Sequence, residues 1–193
     1  MTDPQEIARA LQDLAKAFDA VSARWAIGGS LASSAHGEPR ATNDIDVIAV
    51  LSENEARAFV AALGVDFYAD ADVAADAVRH RSSFNVVDNR SFIKIDVFVP
   101  AEGPLGVGQL DRAIALEIFP GTELPILGRE DVILQKLRCD TLGGVVSDRQ
   151  WRDIVAVLRF GEGQLDDSYL DVVATSHGLA EPLARARLAA RAP

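Results

Sequence analysis

The chain has 193 residues, 49% of them hydrophobic and 25% charged, which is enough apolar content for one globular domain with a sizeable core. Its formal net charge of −10 works against tight binding of a polyanion, because nucleic-acid surfaces usually carry an excess of Lys and Arg. The single cysteine, Cys139, excludes an internal disulfide and a cysteine-based zinc cage, and no apolar run approaches the length of about 18 residues that a spanning helix needs. With an acidic start in place of a basic leader, the expectation is a soluble, cytoplasmic protein with no membrane partner.

Asp3-Pro4-Gln5-Glu6 reads as an N-cap, a first-turn proline and a capping-box glutamate, and Ile7, Leu11, Leu14 and Phe18 follow at helical spacing. A short strand over 24–27 runs into Gly28-Gly29-Ser30, and 31–37 predicts a short helix that Gly37 and Pro39 end. A second strand covers 44–51. Ser52 and Glu55 form another capping box, opening a helix whose apolar face is Ala56, Phe59, Val60 and Leu63. The acidic, alanine-rich stretch 65–80 reads as a short strand followed by a helix or loop.

Strand patterns over 84–87 and 92–99 make a hairpin, and two more short strands are expected over 113–119 and 123–127. From residue 129 the pattern becomes helical, over 129–142, 148–160, 166–176 and 179–191. Gly143-Gly144 and Gly161 to Gly163 supply the breaks, with Ser147 and Asp166 as candidate N-caps. Cys139 reads as a helix residue against the core. The fold class is therefore α/β (α+β), a small mixed and mostly antiparallel sheet flanked by helices. Residues 1–127 form the core unit, and 128–193 an α-helical C-terminal part that closes one side of a cleft.

The chemistry concentrates between residues 28 and 96. Glycines ending a strand allow close backbone approach, and a helix opening at Ser30 aims free N–H groups and a positive dipole end at an anion, so Gly29 and Ser30 are candidate phosphate ligands. Alternate strand residues share a face, which sets Asp44 and Asp46 side by side. Two carboxylates so placed repel unless a cation lies between them, and hard divalent ions take such oxygens together with substrate phosphates. Asp96, in the strand pattern Phe92 to Val99, is the third carboxylate needed to bracket two metals. Arg40, in the connection before the metal strand, is placed to neutralise a leaving pyrophosphate; a surface loop charge is the alternative. His36, His80 and His177 lack ligand spacing, and His36 reads as a helix C-terminal residue.

Gly29-Ser30, thirteen further residues, Asp44-Ile45-Asp46 and a later strand with Asp96 resemble the signature of the nucleotidyltransferase superfamily with the DNA polymerase beta-like fold. Through His36-Gly37, Arg40-Ala41-Thr42 and Asp44-Ile45-Asp46 the chain resembles its small prokaryotic abortive-infection and toxin–antitoxin members, over roughly residues 20–160. The resemblance implies a nucleotidyltransferase catalytic core over 1–127. Asp44, Asp46 and Asp96 would be metal ligands and catalytic residues for two Mg2+ ions, or Mn2+. It further implies nucleotide contacts from Lys136 on the helix after residue 129, and from Arg152 and Asp153 in an Arg-Asp helix motif. For Lys136 the alternative is a solvated helix lysine; for Arg152 and Asp153 it is an intrahelical ion-pair cluster with Arg149.

The implied reaction moves a nucleoside monophosphate from a nucleoside triphosphate to an acceptor hydroxyl, an RNA or tRNA end in a toxin–antitoxin setting, with an antitoxin protein as partner. A small cationic acceptor such as an aminoglycoside, or a catalytically silent nucleotide-sensing module, are the rival readings. Arg185, Arg187 and Arg191 give the last helix a basic face, either solvated or in contact with RNA or the acidic core.

Overall fold

Period-two burial organises the centre of the molecule. In strand β2 (Asp44–Val50) Ile45 and Val47 are buried while Asp44 is exposed and Asp46 half-buried, and β5 (Lys94–Phe98) repeats the pattern with Ile95 and Val97 inside. The computed structural model describes residues 3–40, 42, 44–143 and 148–192. Ser147 and Gly144, expected as a cap and a break, lie outside them.

Among the described residues seven strands form one sheet, in the order β3-β4-β5-β2-β1-β7-β6. The other strands are β1 (Arg24–Ile27), β3 (Phe67–Tyr68), β4 (Ser83–Asp88), β6 (Ile114–Phe119) and β7 (Thr122–Ile126). Four neighbouring pairs are antiparallel; β2 with β5 and β1 with β7 are parallel. The expected mixed, mostly antiparallel sheet is present, and β2 sits at its middle.

Helices α1 (Pro4–Ala20), α3 (Glu53–Leu63) and α4 (Ala71–His80) pack together, α1 on α3 and α3 on α4. Between α1, β1, α3 and β4 runs an aromatic stack: Phe18 lies 4.9 Å from Trp25 and 4.3 Å from Phe59, and Phe59 meets Phe84 edge-on. Such contacts add about 0.5–1.5 kcal/mol each beyond burial. Asp3 caps α1 by accepting from the Gln5 N–H, and the Ser52–Glu55 capping box is formed. The stretch after Leu63 is a 3-10 turn, β3, and then α4, capped by Asp70.

The remaining helices are α2 (Gly29–His36), α5 (Arg129–Gly143), α6 (Asp148–Phe160), α7 (Asp167–Ser176) and α8 (Ala180–Arg191). Helix α2 packs on β2, α5 and α6, while α7 and α8 support α5 and α6 from behind. One hydrophobic cluster runs from Ala10 to Ala186. Cys139, expected against this core, is exposed, because the buried face of α5 is carried by Val132, Ile133, Leu134 and Leu137. Among the described residues no helix is long and apolar enough to cross a membrane.

Two buried carboxylates are held by ion pairs. Asp88 is buried at the β4 end, where Arg90 and Ser91 bond it at 2.9 and 2.8 Å, and Arg90 also reaches Asp13 and Asp66. Asp131 on α5 accepts from Arg112 Nε and Nη2 and from the Tyr169 hydroxyl, with the guanidinium 4.2 Å over the tyrosine ring. These clusters tie the sheet to α1 on one side and to α5 and α7 on the other.

Candidate active site

Parallel pairing of β2 with β5 places Asp44 beside Lys94 and Asp46 beside Asp96. Period two then turns all four side chains to one face, a patch of three carboxylates and one ammonium. Lys94 Nζ bonds both Asp96 oxygens, at 2.9 and 3.0 Å. That bond, with the charges of Asp96, Asp44 and Asp46, holds the ammonium above its ordinary pKa. Asp46 goes the other way: burial first, then the charges of Asp96 and Asp44, raise its carboxyl above the ordinary value against the pull of Lys136 and the Ser30 N–H.

The β1–α2 turn is built around Asp46. The Gly28 N–H bonds the Asp46 carbonyl at 2.8 Å, and the Ser30 N–H bonds its carboxylate. Gly29 has φ +54°, and a Cβ on it would lie 1.7 Å from Asp46 Oδ2. Only glycine fits both the left-handed backbone and the space. The helix start and the central aspartate are thereby pressed together.

A second cluster faces the first from α5 and α6. Asp153, buried on α6, accepts from Arg40 Nε at 3.0 Å and Nη2 at 2.9 Å, and from Lys136 Nζ at 2.8 Å. Arg40 Nη2 also reaches Ser30 Oγ at 2.5 Å. Burial alone would raise the Asp153 carboxyl; the Arg40 and Lys136 bonds override it and hold the group below the usual carboxylate range. Lys136 is itself buried and its charge acts on Asp46, so bonds join Ser30, Arg40, Asp153 and Lys136, and electrostatics carry the chain on to Asp46.

One expectation needs correcting. Helical spacing groups Asp153 with Arg149 and Arg152, but Asp153 turns inward beside Ile154 and Val157, while both arginines are exposed and Arg152 Nε bonds only the Asp148 carbonyl among its described partners. His36 does more than end a helix. Buried, it bonds the Leu127 carbonyl through Nε2 at 2.7 Å and ties α2 to the end of β7. Burial, with Arg129 nearby, keeps its imidazole pKa low, so the ring is neutral and donates this bond. On the last helix, Arg187 is taken up by Asp167 and Asp171, and Arg185 lies over the Trp151 ring.

Lys94 is the site residue that sequence reasoning missed. Its signal was available, since a lysine two positions before Asp96 in a strand must share its face.

The donor set suits a hard divalent cation: carboxylate oxygens on adjacent strands, one raised in pKa by burial and then by its like-charged neighbours. Among the described residues, however, no three carboxylate, imidazole or thiol groups converge into a formed metal cage. The group that neutralises Asp96 in this arrangement is the Lys94 ammonium.

A family model described as the nucleotidyl transferase AbiEii toxin of a type IV toxin–antitoxin system matches residues 9–192. No curated protein matches the chain in sequence. Among solved structures, an antigenic nucleotidyltransferase-like protein from Paracoccidioides brasiliensis superposes with a TM-score of 0.60 at 17% identity, covering 97% of this chain and 94% of its own. The antibiotic-resistance factor ANT(2'')-Ia superposes with a TM-score of 0.58 at 12% identity, covering 95% of this chain and 99% of its own. At these identities the likeness is one of fold.

Proposed function

From the premise that the chain belongs to the AbiEii nucleotidyltransferase toxin family, we propose that it moves a nucleoside monophosphate from a nucleoside triphosphate to an acceptor hydroxyl in a magnesium-dependent reaction. The observation that carries this reading is the juxtaposition of the Asp44, Asp46 and Asp96 patch with the Gly29-Ser30 helix start and with the Arg40–Asp153–Lys136 cluster. Nucleotidyl transfer needs both an acidic and a cationic wall around a triphosphate.

Asp44, Asp46 and Asp96 would hold two Mg2+ ions, or Mn2+, which activate the attacking oxygen and stabilise the leaving pyrophosphate. The α2 N–H groups and Ser30 Oγ receive the β- and γ-phosphates. Arg40 and Lys136, held in place by Asp153, set positive charge beside that helix start, where pyrophosphate charge builds up as the bond to the α-phosphate breaks. Asp96 takes the proton of the acceptor hydroxyl. Arg152 is left outside this set by its exposure and its bond to Asp148. The helices after residue 128 supply Lys136 and Asp153 and so form one wall of the cleft.

An RNA or tRNA end is the acceptor that the toxin–antitoxin family favours, with an antitoxin protein as partner. The net charge of −10 favours a second reading, a small cationic acceptor. Both are tested by incubating the protein with each α-labelled nucleoside triphosphate, magnesium, and either total RNA or an aminoglycoside. Label should move with wild type and not with Asp46→Asn, whose amide keeps the shape and loses the charge. Transfer to RNA should fall steeply with salt, and transfer to a small acceptor should not. Equal transfer by Asp46→Asn overturns the assignment of the acidic patch; no transfer to anything by folded wild type favours a silent, nucleotide-sensing module.

A further inference from the structure

The three carboxylates and Lys94 form a two-by-two arrangement on the face shared by β2 and β5, with the ammonium at one corner. Three like charges so close require a cation. Lys94 supplies one from within the sheet: its Nζ is within hydrogen-bond distance of both oxygens of Asp96, and its strand partner is Asp44. Its side chain is 46% exposed, so the long stem can swing off the patch into water at little cost.

We infer that Lys94 is a built-in counter-cation, a positioning residue that neutralises the carboxylate patch in the metal-free protein, competes with the divalent cation for Asp96, and is displaced when that cation binds. The inference rests on the proposed metal role of Asp44, Asp46 and Asp96. It goes beyond that role by giving the apo state its own charge balance. It also makes cation binding an exchange, one ammonium off as the metal comes on, and not a simple addition. Without such a group the metal-free patch would be strained by its own repulsion; with it, the patch is stable but binds metal less tightly.

An ordinary exposed ion pair contributes about 0–1 kcal/mol and would leave metal binding untouched. The competing ammonium makes a different prediction. Chelator-treated wild type, Lys94→Met, Lys94→Arg and Asp46→Asn are titrated with Mg2+ and with Mn2+ by calorimetry and melted with and without metal.

Lys94→Met should bind Mg2+ about tenfold more tightly than wild type, the order of effect of removing one positive charge a few ångströms from a cation site, and should melt lower when metal-free. Lys94→Arg, which keeps the charge, should stay near wild type in the metal-free melt. Lys94→Gln replaces Lys94→Met if the latter does not stay folded. A metal affinity for the uncharged variant within about twofold of wild type, or weaker, overturns the role of Lys94 while leaving the metal site standing, provided wild type binds Mg2+ and Asp46→Asn does not. If wild type, Lys94→Met and Asp46→Asn all fail to bind metal, the metal site itself is overturned and the inference goes with it.

Discussion

Replacing Asp153 by Asn tests the charge chain at its centre. The carboxylate accepts three bonds, two from Arg40 and one from Lys136 at 2.8 Å, and both Asp153 and the Lys136 side chain are less than a tenth exposed. The amide keeps the shape but offers one acceptor where there were two charged ones, and it turns an N–H2 group toward two cations. Removing one partner of a buried pair costs about 3–5 kcal/mol, because the other charge is left buried and uncompensated. Arg40 is a quarter exposed and can recover water, so we take the low end, about 3 kcal/mol. For a chain of this size that is a fall in melting temperature of about 6–12 °C. Urea unfolding at neutral pH reads the free energy directly, and the double variant Lys136→Met with Asp153→Asn should recover a large part of it by removing the stranded ammonium. Transfer should be lost as well, since an unpaired Lys136 turns toward Asp46. A loss below about 1 kcal/mol, the range of a surface pair, or a double variant as unstable as the sum of the singles, would refute the buried-pair reasoning.

Gly29→Ala should cost about 1–2 kcal/mol for the left-handed backbone alone. Because its Cβ would occupy the place of Asp46 Oδ2, transfer should fall to background; near-wild-type turnover would show that Asp46 is free to move. His36 gives a pH prediction: its folded pKa is depressed by burial, so its contribution is present above the unfolded value of about 6.5 and is lost as pH falls through the folded value. His36→Gln, which can still donate to the Leu127 carbonyl, should flatten the decline in urea midpoint between about pH 7 and about pH 5. Parallel slopes for the two proteins would remove His36 as the cause.

The strands were legible because β2 and β5 alternate so strictly: Ile45, Val47, Ile95 and Val97 point in, and the aspartates cannot. The Asp3 and Asp166 caps and the Ser52–Glu55 box were legible because their chemistry is local. Helix α4 was ambiguous because its buried face is Ala74, Ala75 and Ala77, residues too small to mark a period against an acidic background. The orientation of Asp153 was misjudged for a different reason. A helical projection sends charges outward, and it takes Arg40, more than a hundred residues earlier, together with Lys136 to make it favourable for this one to turn in. Lys94 was passed over because a strand lysine looks solvated until its neighbour across the ladder is known to be Asp44.

The order in which the site's charges occur along the chain has a consequence for synthesis. A nascent chain that has emerged as far as Ile126 has presented Gly29, Ser30, Arg40 and every carboxylate of the patch, but neither Lys136 nor Asp153. Helix α6, which brings the shared carboxylate to Arg40 and Lys136, leaves the ribosome after both of them. Until α6 has emerged, a nascent chain therefore holds the acidic patch without the carboxylate that orders Arg40 and Lys136.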